Sequence, residues 1–224
     1  PNGVTDTVTN DDTITVQLGA GLAGVYTVGS GGDFPTVVAA ANALNAFGVC
    51  GAVTMDILDG VYTSQVELKQ ITGASAINTI TFKSKFGNPS NVIIAASPTG
   101  TGYVFQLNNA SFVTIKDVTI QSNTTNDGRV VEYIGGASND SLINCTINST
   151  GISSSGNSSG IWATSLTGTN DVFLNNRINR GYYGIYWQGT GTAAASLTKN
   201  HIFEGNTITD AYVYSTYFYY TSNL

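Results

Sequence analysis

The stretch NNRINRGYYGIYWQG at residues 175–189 recurs in degenerate form elsewhere in the chain, and this recurrence decides the fold. Three other stretches share its register: IKDVTIQSN at 115–123, LINCTINST at 142–150 and FEGNTITDA at 203–211. Their common isoleucines are Ile120, Ile147, Ile178 and Ile208, which subtraction places 27, 31 and 30 residues apart. Periods of this length are typical of solenoids, in which each repeat forms one coil.

When the repeats are aligned on these isoleucines, other equivalent positions, here called columns, also hold residues of one kind. The residue five positions before each isoleucine is apolar, and the residue three positions before it is Asp, Asn or Gly: Asp117, Asn144, Asn175 and Gly205. Because these types tolerate a left-handed backbone, we expect a sharp bend there between two short strands. The next residues, Val118, Cys145, Asn176 and Asn206, should point inward, with Asn176 and Asn206 hydrogen-bonded to each other and to the backbone.

A third strand completes each coil. The segments RVVEYI at 129–134, SGIWAT at 159–164 and GIYW at 184–187 align so that Val131, Ile161 and Ile185 face inward. Strand alternation then places Glu132, Trp162 and Tyr186 outward. Stacked coils of at least three strands, each paired with its equivalent about 4.8 Å away, form a parallel β-helix.

The first part of the chain fits the same architecture, although its predicted strands are less regularly spaced. Five apolar segments between residues 53 and 107 are predicted strands, and FPTVVAAANALNAFG at 34–48 is a predicted helix with an apolar face of Val37, Ala41, Leu44 and Phe47. We expect this helix to cover the first coil. The predicted organisation is a polar segment with one strand at residues 1–24, and a β-helix at 25–224 that continues beyond Leu224 in the natural protein.

Composition narrows the class of protein. The chain has 224 residues, a formal charge of −6 and 10% charged residues, and its basic residues are scattered singly. Nucleic acid is therefore disfavoured as a partner, and no apolar run is long enough for membrane insertion. The Ser, Thr, Asn and Gly content indicates an extracellular or cell-surface protein.

Cys50 and Cys145 are expected to stay unpaired, because Cys145 lies in an interior column while Cys50 follows the helix.

The sequence also carries a resemblance. YTVGSGGDFPTVVAAANAL followed by DGVYTSQVEL, together with the NCTI, NNRI and GNTI coils, resembles the pectin-lyase-like superfamily of right-handed parallel β-helices, which includes pectin methylesterases. GVCGAVTMDILDGVYTSQVEL and ITGASAINTITFKSKFGNPSNVII are similar to large bacterial surface proteins exported by type IX secretion. The resemblance implies an all-β, right-handed solenoid with an N-terminal capping helix. The paired aspartates, arginine and glutamines expected of a pectin methylesterase are not found in recognisable motifs.

One group of candidate residues lies seven positions before successive isoleucines. Asp140, Asp171 and His201, the single histidine, should stack on neighbouring coils. A histidine beside two carboxylates could serve as a general base or metal site, and the alternative, which we favour, is a hydrogen-bonded ladder. Arg180 and Asp210 should likewise lie one coil apart, within reach of a structural ion pair.

The outward column of Glu132, Trp162 and Tyr186, with Gln188 beside it, is the predicted binding surface. Two exposed rings with polar edges suit a sugar ring or a partner side chain. The equally weighted alternative is that a long loop covers them. Enzymes of the resembled superfamily bind substrate on this strand face.

Two functions remain open from the sequence. The first is a non-catalytic extracellular module, adhesive or structural, that binds polysaccharide or another surface protein as part of a larger chain or assembly. The second is a carbohydrate-active enzyme, either a polysaccharide lyase or a glycoside hydrolase. Glycoside hydrolysis needs two facing carboxyl groups, and the outward column supplies only Glu132. We therefore favour the module, and we predict no catalytic residue, metal or cofactor.

Overall fold

A computed structural model describes residues 20–193 and 197–224. The strand predicted within residues 5–21 therefore lies, up to residue 19, outside the described residues. The described part contains one helix, α1 (Val37–Phe47), and short strands throughout.

The strands are numbered in chain order. The first eleven are β1 (Leu22–Val28), β2 (Val49–Ile57), β3 (Gly60–Thr63), β4 (Val66–Leu68), β5 (Ile80–Ser84), β6 (Val92–Ala96), β7 (Tyr103–Asn108), β8 (Val113–Lys116), β9 (Thr119–Ser122), β10 (Arg129–Ile134) and β11 (Ser141–Ile143). The others are β12 (Thr146–Asn148), β13 (Ser159–Leu166), β14 (Val172–Leu174), β15 (Arg177–Asn179), β16 (Tyr183–Gly189), β17 (Thr198–Lys199), β18 (Ile202–Glu204), β19 (Thr207–Thr209), β20 (Tyr214–Tyr219) and β21 (Thr221–Ser222).

These strands form three long parallel sheets. Sheet A has the order β1-β2-β5-β8-β11-β14-β18, sheet B the order β3-β6-β9-β12-β15-β19, and sheet C the order β4-β7-β10-β13-β16-β20. A separate two-stranded sheet pairs β17 with β21. The chain visits the sheets in turn and so winds about seven turns of a parallel β-solenoid. This confirms the predicted fold class.

The repeat register is also confirmed. Ile147 pairs with Ile120 and Ile178, and Ile178 pairs with Ile208. On sheet A, Leu142 pairs with Ile115 and Phe173. The inward side chains form one continuous apolar core along the solenoid axis.

The bend between sheets A and B lies where the sequence places it. Asp117, Asn144, Asn175 and Gly205 have φ values of 57°, 51°, 54° and 65°. The strand residue after the bend therefore turns inward again, and Asn176 is buried there. Its side-chain Oδ1 accepts the Cys145 N–H at 2.9 Å, and its Nδ2 donates to the Leu142 carbonyl at 2.7 Å and to Asn206 Oδ1 at 2.9 Å.

The helix begins and ends as its sequence dictates. The Thr36 hydroxyl accepts the Ala39 N–H at 3.1 Å as an N-cap, and Gly48, with φ 66°, stops the helix. Val37, Ala41 and Leu44 are buried against the first coils, as predicted. Phe47 is 46% exposed, so its assignment to the apolar face was wrong.

Two simple features complete the fold. Cys50 is exposed and Cys145 is buried, and neither forms a disulfide, as expected. Among the residues that the structure describes, no helix is both long and apolar enough to cross a membrane.

Candidate functional site

The outer face of sheet C carries the predicted binding residues in one column. Glu132 pairs with Trp162 across β10 and β13, Trp162 pairs with Tyr186 across β13 and β16, and Tyr186 pairs with Tyr217 across β16 and β20. Val131, Ile161 and Ile185 alternate with this column and are buried in the core. The strand register therefore brings Glu132, Trp162 and Tyr186 together on the outside of the solenoid, as the sequence predicts.

Glu132 is an outward residue, but it is nearly inaccessible. Its side chain is buried, because Gln106 Nε2 donates to Oε2 at 2.5 Å and the Arg129 guanidinium binds Oε1. Arg129 in turn lies over the Trp162 ring, with its guanidinium carbon 4.3 Å from the ring centroid. Both oxygens of this carboxylate are therefore occupied, and its charge is balanced by Arg129.

The aromatic rings stack on one another along the solenoid axis. The Trp162 and Tyr186 centroids are 4.1 Å apart with planes 10° from parallel, and those of Tyr186 and Tyr217 are 5.1 Å apart at 8°. A second, shorter stack lies beside this one, in which Tyr183 and Tyr214 are 6.1 Å apart at 14°. Parallel strand pairing places equivalent rings one coil apart, which is close to ring-stacking distance.

This stacking changes which part of each ring is accessible. We expected Trp162 and Tyr186 to be exposed, whereas both are half-buried, because each covers a face of the other. Arg129 covers the second face of Trp162, and Tyr217 covers the second face of Tyr186. Solvent therefore meets ring edges and tyrosine hydroxyls rather than the open ring faces that the sequence suggested.

The polar rim of this surface is set by the tyrosine hydroxyls. The Tyr186 hydroxyl donates to Gln188 Oε1 at 2.7 Å, which places Gln188 at the predicted site. Partial burial raises the pKa of Tyr183 and of Tyr186, and neighbouring tyrosines raise both further. Both hydroxyls stay protonated at neutral pH. The Tyr183 O–H has no acceptor within the described residues, whereas the Tyr186 O–H is already donated to Gln188.

Asp140, Asp171 and His201 form the hydrogen-bonded ladder that we favoured over a reactive site. The Val113 N–H donates to Asp140 Oδ1 at 2.8 Å, the Asp140 N–H to Asp171 Oδ1 at 2.9 Å, and the Asp171 N–H to His201 Nδ1 at 3.3 Å. All three side chains are buried inside the solenoid. A substrate on the surface cannot reach them.

The ladder leaves polar atoms unpaired in the core. Within the described residues, Asp140 Oδ2, His201 Nε2 and the Tyr133 hydroxyl have no hydrogen-bond partner, whereas Asp171 Oδ2 lies 3.3 Å from His201 Nδ1. Burial raises the pKa of Asp140 well above its usual range, and the Asp171 carboxylate raises it further. Burial also raises the pKa of Asp171, against the opposing effect of His201.

In residues 20–193 and 197–224, no group of three His, Cys, Asp or Glu side chains is placed to hold a metal ion.

The ion pair expected between Arg180 and Asp210 is not formed within the described ranges. The Arg180 guanidinium instead donates to the Thr150 carbonyl at 2.9 Å, on the preceding coil. Arg180 and Asp210 both adopt a left-handed backbone, with φ of 66° and 59°. Their side chains line the same groove without meeting.

Sequence reasoning missed several partners at this face. Gln106 aligns with Glu132 and could have been found by extending the alignment back by one coil, while Arg129 lies three residues before Glu132 in the same strand. Tyr217 follows from the same register, one coil after Tyr186. The ring stacking could not be read from the alignment, because it depends on the side-chain torsions that neighbouring coils select.

Two solved structures show the same fold. A pectin methylesterase mutant in complex with a hexasaccharide superposes with a TM-score of 0.52 at 12% identity, covering 80% of this chain and 65% of that one. A pectin methylesterase from carrot superposes with a TM-score of 0.50 at 12% identity, covering 85% of this chain and 65% of that one. No family model and no curated protein matches the chain.

These similarities show that the protein has the parallel β-helix fold of the two methylesterases. At 12% identity they establish the fold alone. The chain spans about 65% of the length of both methylesterases.

Proposed function

We propose that this chain is a non-catalytic β-helical module of an extracellular or cell-surface protein, with an adhesive or structural role, and that it binds polysaccharide on the outer face of sheet C. The observation that carries the proposal is the cluster of five rings on that face: Trp162, Tyr183, Tyr186, Tyr214 and Tyr217. Membership of a larger surface protein, such as those exported by type IX secretion, rests on the sequence resemblance and composition.

The ring cluster suits a sugar chain in two respects. Aromatic side chains occupy this face on three successive coils, so a sugar chain lying along the solenoid axis meets tyrosine hydroxyls and apolar ring edges. Tyr214 is 52% exposed and extends the cluster beyond the half-buried Trp162 and Tyr186. Because each ring is held by its neighbours, little side-chain entropy is lost on binding.

The state of Glu132 argues against catalysis at this face. A general acid or nucleophile must reach the substrate, whereas this carboxylate is buried and already accepts hydrogen bonds from Gln106 and Arg129. The Asp140, Asp171 and His201 ladder lies inside the core and cannot substitute for it. Binding without turnover is therefore the better fit to the geometry.

The experiment is a binding measurement on the purified 224-residue chain against a panel of neutral and acidic polysaccharides. Replacing Trp162 and Tyr186 together by alanine should weaken binding by about 1–3 kcal/mol, the scale of exposing such side chains. The matched control removes two exposed rings elsewhere, Phe47 and Phe86, and should leave binding unchanged. Circular dichroism checks that each variant keeps its fold.

Two results would contradict the proposal. Equal binding by the Trp162→Ala/Tyr186→Ala variant and the control variant would remove the rings from recognition. Cleavage of a glycan by the chain, abolished by Glu132→Gln, would establish the enzyme instead.

A further inference from the structure

A second surface, on sheet B, has the features of a binding site for an anion. A groove of about 410 Å³ crosses the outer side of β12, β15 and β19. Its walls include Arg177, Arg180, Asn148 and Ser149. It lies on a different sheet from the aromatic cluster, so it is independent of the function proposed above.

Positive charge is concentrated in this groove. The protein carries a formal charge of −6 and has three arginines, of which Arg177 and Arg180 both line the groove. Asp210 is the one carboxylate among the groove residues. The guanidinium of Arg177 is exposed and makes no hydrogen bond or ion pair with any residue that the structure describes. A planar guanidinium fork without a partner is suited to a two-oxygen anion.

Hydrogen bonds between coils fix the amide groups of the groove. The Thr209 hydroxyl donates to Asn179 Oδ1 at 2.9 Å, and Asn179 Nδ2 donates to Asn148 Oδ1 at 2.6 Å. The carbonyl oxygens of both amides are thereby occupied. The Nδ2 group of Asn148, at the end of this ladder, has no acceptor within the described residues and remains a donor lining the groove.

We propose that this groove binds a small oxyanion, the carboxylate or sulfate group of an acidic ligand. The Arg177 guanidinium provides the paired N–H donors and most of the charge. Asn148 Nδ2 donates from the neighbouring coil. Arg180, held by the Thr150 carbonyl, adds a second positive charge at the rim.

The test titrates sodium acetate and sodium sulfate, at constant ionic strength, into the ¹⁵N-labelled 224-residue chain. Binding should shift the amide resonances of residues 146–150 and 177–181. Arg177→Gln should weaken binding at least tenfold. Lys85→Gln also removes one positive charge, but from an exposed lysine outside the groove, and should change the anion affinity less than twofold. Asn148→Ala should weaken binding several-fold and leave the fold intact.

The two anions separate the two forms of the proposal. Tighter binding of acetate assigns the groove to carboxylates, and tighter binding of sulfate assigns it to sulfate groups. Absence of groove shifts with both anions overturns the proposal. Equal loss of affinity in Arg177→Gln and Lys85→Gln also overturns it, because the loss would then reflect the net charge of the protein and not its groove.

Discussion

The Asp140 carboxyl group is buried in the core, where its charged form is costly. Its Oδ1 holds the Val113 N–H, while Oδ2 is buried without a hydrogen-bond partner in the described residues. Tyr133 and Asp171 face it within the core, and the pKa of Tyr133 is also raised well above its usual range by burial. The ladder therefore needs an acceptor atom at this position, and it does not need a charge.

The sign of the resulting pH dependence follows from the raised pKa of Asp140. The folded protein binds the proton more tightly than the unfolded chain, whose carboxyl titrates near about 3.9. The contribution of the neutral form is fully present below the unfolded pKa, and it is lost as pH rises through the folded pKa. Asp171, whose pKa is also raised, acts in the same direction.

Asp140→Asn tests this assignment, because asparagine keeps an acceptor for Val113 and cannot ionise. We expect the variant to be more stable than the parent at pH 8 by about 1–3 kcal/mol, the free energy lost when a buried carboxyl group with a raised pKa ionises. The advantage should shrink toward pH 4. Urea unfolding at both pH values measures it, with the exposed Asp210→Asn as control. A variant that is less stable at both pH values would show that the charged form supports the fold.

Each coil changes direction at left-handed residues between its strands, and the side chains at these bends form hydrogen bonds from coil to coil. The bend at Asp117, Asn144, Asn175 and Gly205 was predictable, because residue type and spacing coincide there. A second column of left-handed residues was missed, although Asn139, Asn170 and Asn200 directly precede Asp140, Asp171 and His201. Its members donate to one another from coil to coil at 3.1 and 3.2 Å. Phe112 occupies the equivalent corner with φ 62° and obscures the pattern.

Asn176→Ala probes the interior ladder of the first bend. The substitution leaves the Cys145 N–H and the Leu142 carbonyl without their side-chain partner inside the core. We expect a loss of about 2–4 kcal/mol, since each unsatisfied buried group costs about 1–3 kcal/mol. Chemical unfolding monitored by circular dichroism measures it. The control Asn123→Ala removes an exposed amide and should stay within about 0.5 kcal/mol of the parent. Equal losses in the two variants would mean that the ladder contributes no more than a surface bond.

For the molecule as a whole, the periodic core was predictable and the outer surface was not. Inward columns such as Ile120, Ile147 and Ile178 follow from the repeat, because each coil buries the same position against the next. The covering of Glu132 by Arg129, and of Trp162 by Tyr186, depends on side chains that no periodicity specifies. The outward register of Glu132, Trp162 and Tyr186 was thus predicted correctly, while their degree of exposure was not.

Since each coil packs only on its neighbours, local stability should vary along the solenoid axis. Ile147 and Ile178 are fully buried between coils, whereas Ile208 and Phe203 in the last described coil are half-buried. Half the burial of an isoleucine corresponds to about 1 kcal/mol, or roughly fivefold in the opening equilibrium. In the 224-residue chain, we expect the amides of β18 and β19 to exchange at least fivefold faster than those of β11 and β12. Hydrogen exchange followed by mass spectrometry measures this gradient. Uniform protection across these strands would instead mean that the coils open only together, as a single cooperative unit.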